Sequence, residues 1–320
     1  MNGDVVSNLV YMLLFPGFAF LIVLALAAEY FDRKLHARLQ NRVGPPWFQP
    51  AADLIKLAAK EELVPTEADS RMFRVVPLIA LAAIFTAFLY IPIWPKAGRI
   101  DAPLSFYGDL VVVLYLLTIP TVTFFLGGWY SRSVYSMIGA ARCIMQLFAY
   151  EVPLFLAILG PALLANTWSI SEMSRFYCDH PLYSLLNVIG LCVALVAMLG
   201  KLERVPFDIP EAETEIVAGT FTEYSGRLLA MFRLAIDVEM VVGATLIAAV
   251  FLPWGMTLAA PIAFGLYLVK VAAIVAVLAI LRTVMARMRI DQMINFCWQI
   301  AAPIAFLQVL IDLVAKWVLP

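Results

Sequence analysis

Residues 110–130 read LVVVLYLLTIPTVTFFLGGWY, a stretch long enough to cross a bilayer and without a single charge. Crossing the hydrocarbon core takes about 20 apolar residues in a helix. Eight such runs divide the chain, at 6–28, 75–94, 110–130, 143–166, 181–200, 234–253, 259–280 and 299–319. They are apolar on every face, without the alternation of a membrane barrel. Only 14% of the 320 residues are charged, against about 25% in soluble domains. The expectation is an all-α polytopic membrane protein with eight transmembrane helices, forming one integral membrane domain over 1–320. The opening MNGDVV lacks the basic flank of a signal peptide, so the first run is read as a retained anchor.

Basic residues give the orientation. The connections 28–75, 130–143, 200–234 and 280–299 hold 8, 2, 4 and 3 Lys+Arg, whereas the opposite side holds Lys96, Arg99 and Arg175. This bias predicts both termini on the outer side and two long cytoplasmic loops, about 29–74 and 201–233. The expected location is a prokaryotic cytoplasmic membrane.

In the first loop, Gly44-Pro45-Pro46 stops any helix arriving from the membrane. AADLIKLAAKEEL follows, in which Ala51, Leu54, Ile55, Ala58 and Leu63 can share one face, as in a short amphipathic helix at the interface, ended by Pro65. The segment is either a surface brace or the wall of a cavity lined by Arg38, Arg42, Asp53, Lys56, Glu61 and Glu62.

The second loop gathers Glu203, Asp208, Glu211, Glu213, Glu215 and Glu223. DIPE reads as a helix start, with Asp208 as cap and Glu211 three residues on. Glu211 and Glu215 would share a face, and Gly219 would stop the helix. A solvated acidic loop is the simplest reading. Against it, the acids alternate with Phe207, Ile209, Ile216, Val217 and Phe221, which favour burial. Crowded, buried carboxylates raise one another's pKa by up to a few units, so such a cluster could hold exchangeable protons.

An ionisable side chain at mid-membrane costs about 2.5–3.5 kcal/mol and needs a partner or a wet cavity. Glu151, just before Pro153, is the clearest case. Asp237 and Glu239 begin the sixth run, and Lys270 could pair with one of these acids. Asp312 and Lys316, four apart, could pair on one helix. Arg142 precedes the fourth run, as a positive-inside anchor or as a partner holding a carboxylate ionised. Cys143, Cys178, Cys192 and Cys297 are scattered, so no metal site is expected in the chain. A net charge of −1 gives no basic field for nucleic acid.

Three segments carry a family resemblance. ERVPFDIPEAETEIVAGTFTEYSG resembles the signature of the membrane subunit designated H or 1 in respiratory complex I, which has a relative in energy-converting membrane-bound hydrogenases. RLQNRVGPPWFQPAADLIKLAAKEELVP is similar to that family's first cytoplasmic loop, and SMIGAARCIMQLFAYEVPL to its third-to-fourth helix region. The resemblance covers nearly the whole chain.

It implies a subunit without a redox centre of its own, under a peripheral electron-transfer arm. Iron–sulfur clusters, and nickel–iron in a large hydrogenase-like subunit, would belong to partners, with antiporter-like membrane subunits alongside and a possible quinone at the interface. By motif, Arg38, Arg42, Asp53, Lys56, Lys60 and Glu62 would wall the junction with the arm. Glu203, Arg204, Asp208, Glu211, Glu213, Glu215 and Glu223 would form the acidic cluster, with Glu151 and Arg142 continuing into the membrane; Asp237 and Glu239, from their place at the start of the sixth run, are either further ion-coupling candidates or interfacial residues. The shortened GPPWFQP and the run RLLAMFRLAIDVEMVV look more like the hydrogenase-linked branch than the quinone-reducing one.

Three readings compete. One is an ion-coupling membrane subunit of a hydrogenase-type complex. Another keeps the family with quinone or a methanophenazine-like carrier as acceptor. The third is a stand-alone proton-coupled transporter using Glu151. Redox chemistry by the chain alone is not expected, since it has no nucleotide-binding glycine motif and no nucleophile–base pair.

Overall fold

A computed structural model describes residues 12–95, 100 and 102–318, apart from the side chains of Glu213, Thr214 and Val318. Among them there is no strand. The helices are α1 (Phe18–Leu39), α2 (Gln49–Ala58), α3 (Ser70–Phe88), α4 (Asp109–Tyr130), α5 (Val134–Ala165), α6 (Ile170–Asp179), α7 (Tyr183–Leu186), α8 (Val188–Lys201), α9 (Glu213–Ile216), α10 (Gly226–Phe251), α11 (Ala260–Val284), α12 (Ile290–Phe296) and α13 (Ala302–Val318). A π-helical turn, Cys297–Ala301, joins the last two.

Six of the helical stretches are long and apolar enough to cross a membrane: α3, α4, α5, α10, α11 and the continuous Ile290–Trp317. The chain is therefore a multi-pass membrane protein. The first and fifth predicted runs differ from the simple expectation. α1 continues well past residue 28 and carries Glu29, Asp32, Arg33 and Lys34, and the start of its run lies outside the described residues. The fifth run is broken at Asn187 into α7 and α8. At 1.5 Å per residue, the 14 residues of α8 rise roughly 21 Å, short of the hydrocarbon thickness of about 30 Å.

α10 forms the centre and is buried along nearly its whole length. It packs against α1, α2, α3 and α11, and also touches α4, α6 and α8. α5 holds α4, α8 and α13 together. The outer helices turn residues such as Tyr115, Phe148, Val269, Val284 and Trp317 outward, as an apolar solvent requires.

The second loop corrects the expected helix at DIPE. Residues 208–212 are irregular, and the helix begins at Glu213 and lasts four residues. Pro206 and Pro210 each lack an N–H to give to a helical ladder, and Phe207 and Ile209 turn into the core at 1% and 2% exposure. Glu211 therefore precedes the helix and does not share a face of it with Glu215. The chain turns at Gly219, whose φ is +51°, and a Cβ there would lie 1.7 Å from the Pro210 carbonyl oxygen. Only glycine fits.

Candidate functional site: a charged cavity with a buried ion pair behind it

The C-terminal half of α1, α2, the second loop from Leu202 to Glu211, the first half of α10 and Arg282 of α11 line a cavity of about 640 Å³. In α2, Pro50, Leu54 and Leu57, at helical spacing, face this cavity. Ile55 and Leu63, expected on the same face, are instead exposed. Asp53, on the first loop, accepts from Gln49 Nε2 at 2.7 Å and from Arg33 Nη1 at 2.9 Å. That contact ties the loop helix to α1.

Arg204 is the hub of one wall. Its Nη1 lies 2.5 Å from Asp32 Oδ2 and its Nη2 2.8 Å from Glu29 Oε2. Glu29 also receives Arg33 Nε at 2.5 Å, and Asp32 receives Arg282 Nη1 at 2.9 Å. Charges this deep need such pairing, because an unpaired buried charge costs several kcal/mol. Asp237 of α10 completes the wall within the field of Glu29, Arg204 and Arg33.

Glu203 sits at the inner end. Burial pushes its pKa up to about 8; the Cys143 thiol, donating to Oε1 at 3.1 Å, opposes this, while Glu211, Glu239 and Asp208 add to it. Its Oε2 is buried without a hydrogen-bond partner. Carboxyls with such raised proton affinity cluster at functional sites.

Behind Glu203, Lys201 and Glu239 form an ion pair at 2.8 Å, with side chains 1% and 0% exposed. The approach is close but not directed as a hydrogen bond, and neither Glu239 oxygen has a hydrogen-bond partner. Lys201 donates instead to the Leu117 carbonyl, beside the turn of α4 that Pro120 disrupts. Tyr150 lies over the ammonium, 5.8 Å from ring centroid to Nζ, and its hydroxyl is 2.8 Å from Thr121 Oγ1. Ionisable groups thus continue from the cavity into the packed interior.

Of the residues expected from sequence, Asp53, Lys56, Glu203, Arg204, Asp208, Glu211 and Asp237 line this cavity. Glu211 meets Arg233 at 3.2 Å. Arg142 pairs with Glu215 at 2.6 Å, the largest cause holding that carboxyl below its usual range, and Arg287 approaches the same carboxyl at 3.5 Å. Glu62 bridges Arg74, at 2.7 Å, and Arg227, joining the first loop to α3 and α10; the Arg227 hydrogen bond is the largest cause lowering its pKa. Arg38, Arg42 and Lys60 are exposed away from the cavity, and Glu223 is half-buried outside it. Glu151 is half-buried on α5, also outside the lining. The side chain of Glu213 lies outside the described residues.

Two expected pairs are replaced. Lys270 donates to the Trp254 carbonyl and meets none of the three acids; Glu239 takes Lys201 instead. Asp312 and Lys316 do not pair: Lys316 reaches Asn166 Oδ1 at 2.7 Å, and Asp312 receives Gln308 at 2.9 Å. Lys270 and Lys316 thus take partners on other segments, and Asp312 takes one on its own helix. Sequence reading missed Glu29, Asp32, Arg33, Arg282, Lys201, Cys143 and Tyr150. Spacing held a partial signal for the first three: Glu29 and Arg33 are four apart, and Asp32 lies on the same helical side.

The fold is that of a multi-pass helical membrane protein with a charged cavity. The sequence pattern of the NADH dehydrogenase family matches residues 11–313, and the chain belongs to that family, which is that of the H subunit of complex I. It is 34% identical over 316 residues to the H subunit of NADH-quinone oxidoreductase from Dehalococcoides mccartyi (strain ATCC BAA-2266 / KCTC 15142 / 195), covering 96% of this chain and 86% of that one. The H subunit of the same enzyme from Thermomicrobium roseum is 36% identical over 327 residues, covering 94% and 95%. Among solved structures, a chain of the membrane-bound sulfane sulfur reductase, an archaeal respiratory membrane complex, superposes with a TM-score of 0.82 at 26% identity, covering 97% of this chain and 99% of that one.

Proposed function

We propose that this chain is the ion-coupling membrane subunit of a redox-driven proton or sodium pump. It docks a peripheral electron-transfer arm and links it, through buried carboxylates, to antiporter-like membrane subunits. The assembly is of the membrane-bound hydrogenase type or a related ferredoxin-linked reductase. Iron–sulfur and any nickel–iron centres reside in partner subunits. The observation that carries this reading is the succession of ionisable groups from the Arg204–Glu29–Asp32 wall to Glu203, which lies within the field of Glu239, and the Lys201–Glu239 pair behind it. A change of charge at the cavity would shift the proton affinity of Glu203 and, through it, of the pair behind. Eight spans with both termini outward remain the proposed topology, with α1 as the first span and α7 plus α8 as the fifth.

A second reading, the quinone-cavity subunit of a complex I-type oxidoreductase, draws on the names of the relatives. The lining tests it. Eleven of the eighteen lining residues are ionisable. A charged head-group pocket is compatible with that wall, and a long isoprenoid tail would need a separate apolar path beside it.

The test is to isolate the intact assembly from native membranes through a tag on this chain and supply low-potential reductant. Hydrogen evolution, or reduction of a sulfur compound, without quinone reduction is expected. Quinone reduction alone would move the chain to the second reading. Isolation without partners would overturn both in favour of a lone transporter.

A further inference from the structure

Another buried acid lies at the other end of α8, far from the cavity. Asp312 of α13 is 0% exposed. It faces Asn187, the residue at which the fifth run breaks between α7 and α8. The 14 residues of α8 separate this point from Lys201 by roughly 20 Å. The break frees backbone: the Leu186 carbonyl accepts from Gln308 Nε2 at 2.9 Å. Gln308 Nε2 also donates to Asp312 Oδ1 at 2.9 Å, while its own buried Oε1 has no partner. Gly160 of α5 makes the space, because a Cβ there would lie 2.4 Å from Asp312 Oδ2.

The hydrogen bonds around Asn187 close in two ways. In one, its Nδ2 donates to the Tyr177 hydroxyl at 2.9 Å, which donates to the Pro161 carbonyl at 2.9 Å. The amide oxygen then faces Asp312 Oδ2 at 3.1 Å. Two acceptors are in contact unless Oδ2 bears a proton and donates it. In the other, the amide is turned over. Its nitrogen donates to Asp312 Oδ1 and Oδ2 at 3.2 and 3.1 Å, and its oxygen accepts from Tyr177 at 2.9 Å. This arrangement requires Asp312 ionised, and Tyr177 gives up the Pro161 carbonyl. Every donor in this exchange finds an acceptor in each state.

We propose that Asp312 is a proton-binding site at the end of the bundle opposite the cavity, and that the Asn187 amide turns over as the proton arrives and leaves. The proton leaves Oδ2 for water at that end, and the amide N–H groups take its place against the carboxylate. The surrounding elements supply no competing charge. α5 presents Gly160 and the Pro161 carbonyl, with Glu151 more than two turns away. α6 presents Tyr177, and its Glu172 is occupied by Thr167 at 2.6 Å. Asp179 ends α6, and the adjacent His180 packs its ring on Phe176 and Tyr183. α8 presents Asn187 and Gly190, and Cys297 lies in the π-helical turn. On α13 itself, Lys316 is held by Asn166.

The test is infrared difference spectroscopy of the intact assembly, titrated between about pH 5 and 9. A protonated-carboxyl band is expected that titrates in the native protein and is missing in Asp312→Asn. Asn187→Leu, which can neither accept the proton nor solvate the carboxylate, is expected to move the midpoint by about one pH unit or more, a tenfold change in proton affinity. Gly160→Ala, which crowds Oδ2 without altering any polar group, is expected to shift the same band and covers the case in which Asp312→Asn does not assemble. Spectra of Asp312→Asn or Gly160→Ala that match the native at every pH would overturn the proposal. So would a midpoint unmoved in Asn187→Leu, or a band that responds to sodium at fixed pH, which would make this a metal-cation site.

Discussion

Arg204 is the one cation of the cavity wall that pairs with both Glu29 and Asp32 among the described residues. Arg204→Met leaves two buried carboxylates short of a partner. A loss of about 3–5 kcal/mol is expected, read as a lower unfolding temperature of the purified assembly. Lys201 and Glu239 should behave differently when removed together. Either single leucine variant strands a charge and should cost a similar amount, whereas the double variant Lys201→Leu/Glu239→Leu should recover most of it, by the same measurement. Glu203 supplies a pH dependence with a definite sign. Its folded pKa of about 8 lies above the ordinary value of 4.5, so the folded chain keeps a proton that the unfolded chain has released. Stability is then greatest at low pH, falls as pH climbs from about 4.5 to about 8, and levels off above. Glu203→Gln should remove that slope from melting curves recorded across the range. At this scale much of the site was legible, because acids in an apolar chain advertise themselves. Their partners were not: Lys201 sits at the end of an apolar run and reads as an ordinary anchor until α8 is seen packed against α5.

Helices followed their apolar runs, and the differences came where the sequence carries prolines or a polar break. Nothing in the pattern 181–200 distinguishes a continuous span from α7 and α8. The interruption at Asn187 is repaid by side chains from α6 and α13, which no local reading contains. The DIPE segment had the residues of a helix start, but burial of Phe207 and Ile209 pulled the backbone into an irregular path. Gly219 fixes that path. Gly219→Ala would place a methyl against the Pro210 carbonyl and displace residues 208–221 from α5. Faster hydrogen exchange across this segment is expected, with the transmembrane helices unaffected; unchanged exchange would mean that the loop is held by its other contacts. α2 shows the limit of face assignment: its periodicity was legible, but whether Leu54 or Ile55 turned inward depended on the position of α10.

On the scale of the molecule, the bundle buries ionisable groups at either end of α8, the Lys201–Glu239 pair and Asp312, and leaves an apolar exterior around them. α10 lies at the centre because nearly all of its surface is covered by neighbours, which puts Asp237 and Glu239 where their charge is least screened by water. The class of protein was legible from the apolar runs and the three long motifs. The full cavity was not, since its walls come from five segments of the chain, α1, α2, the second loop, α10 and α11. In the proposed function, protonation of the inner carboxyl links events at the cavity to ion movement. The direct measurement is made on the assembled complex in sealed vesicles, with electron transfer and ion uptake recorded together for native protein and Glu203→Gln. Electron transfer within about twofold of native, with ion uptake per electron reduced about tenfold or more, is the predicted result. Native uptake per electron in Glu203→Gln would contradict it.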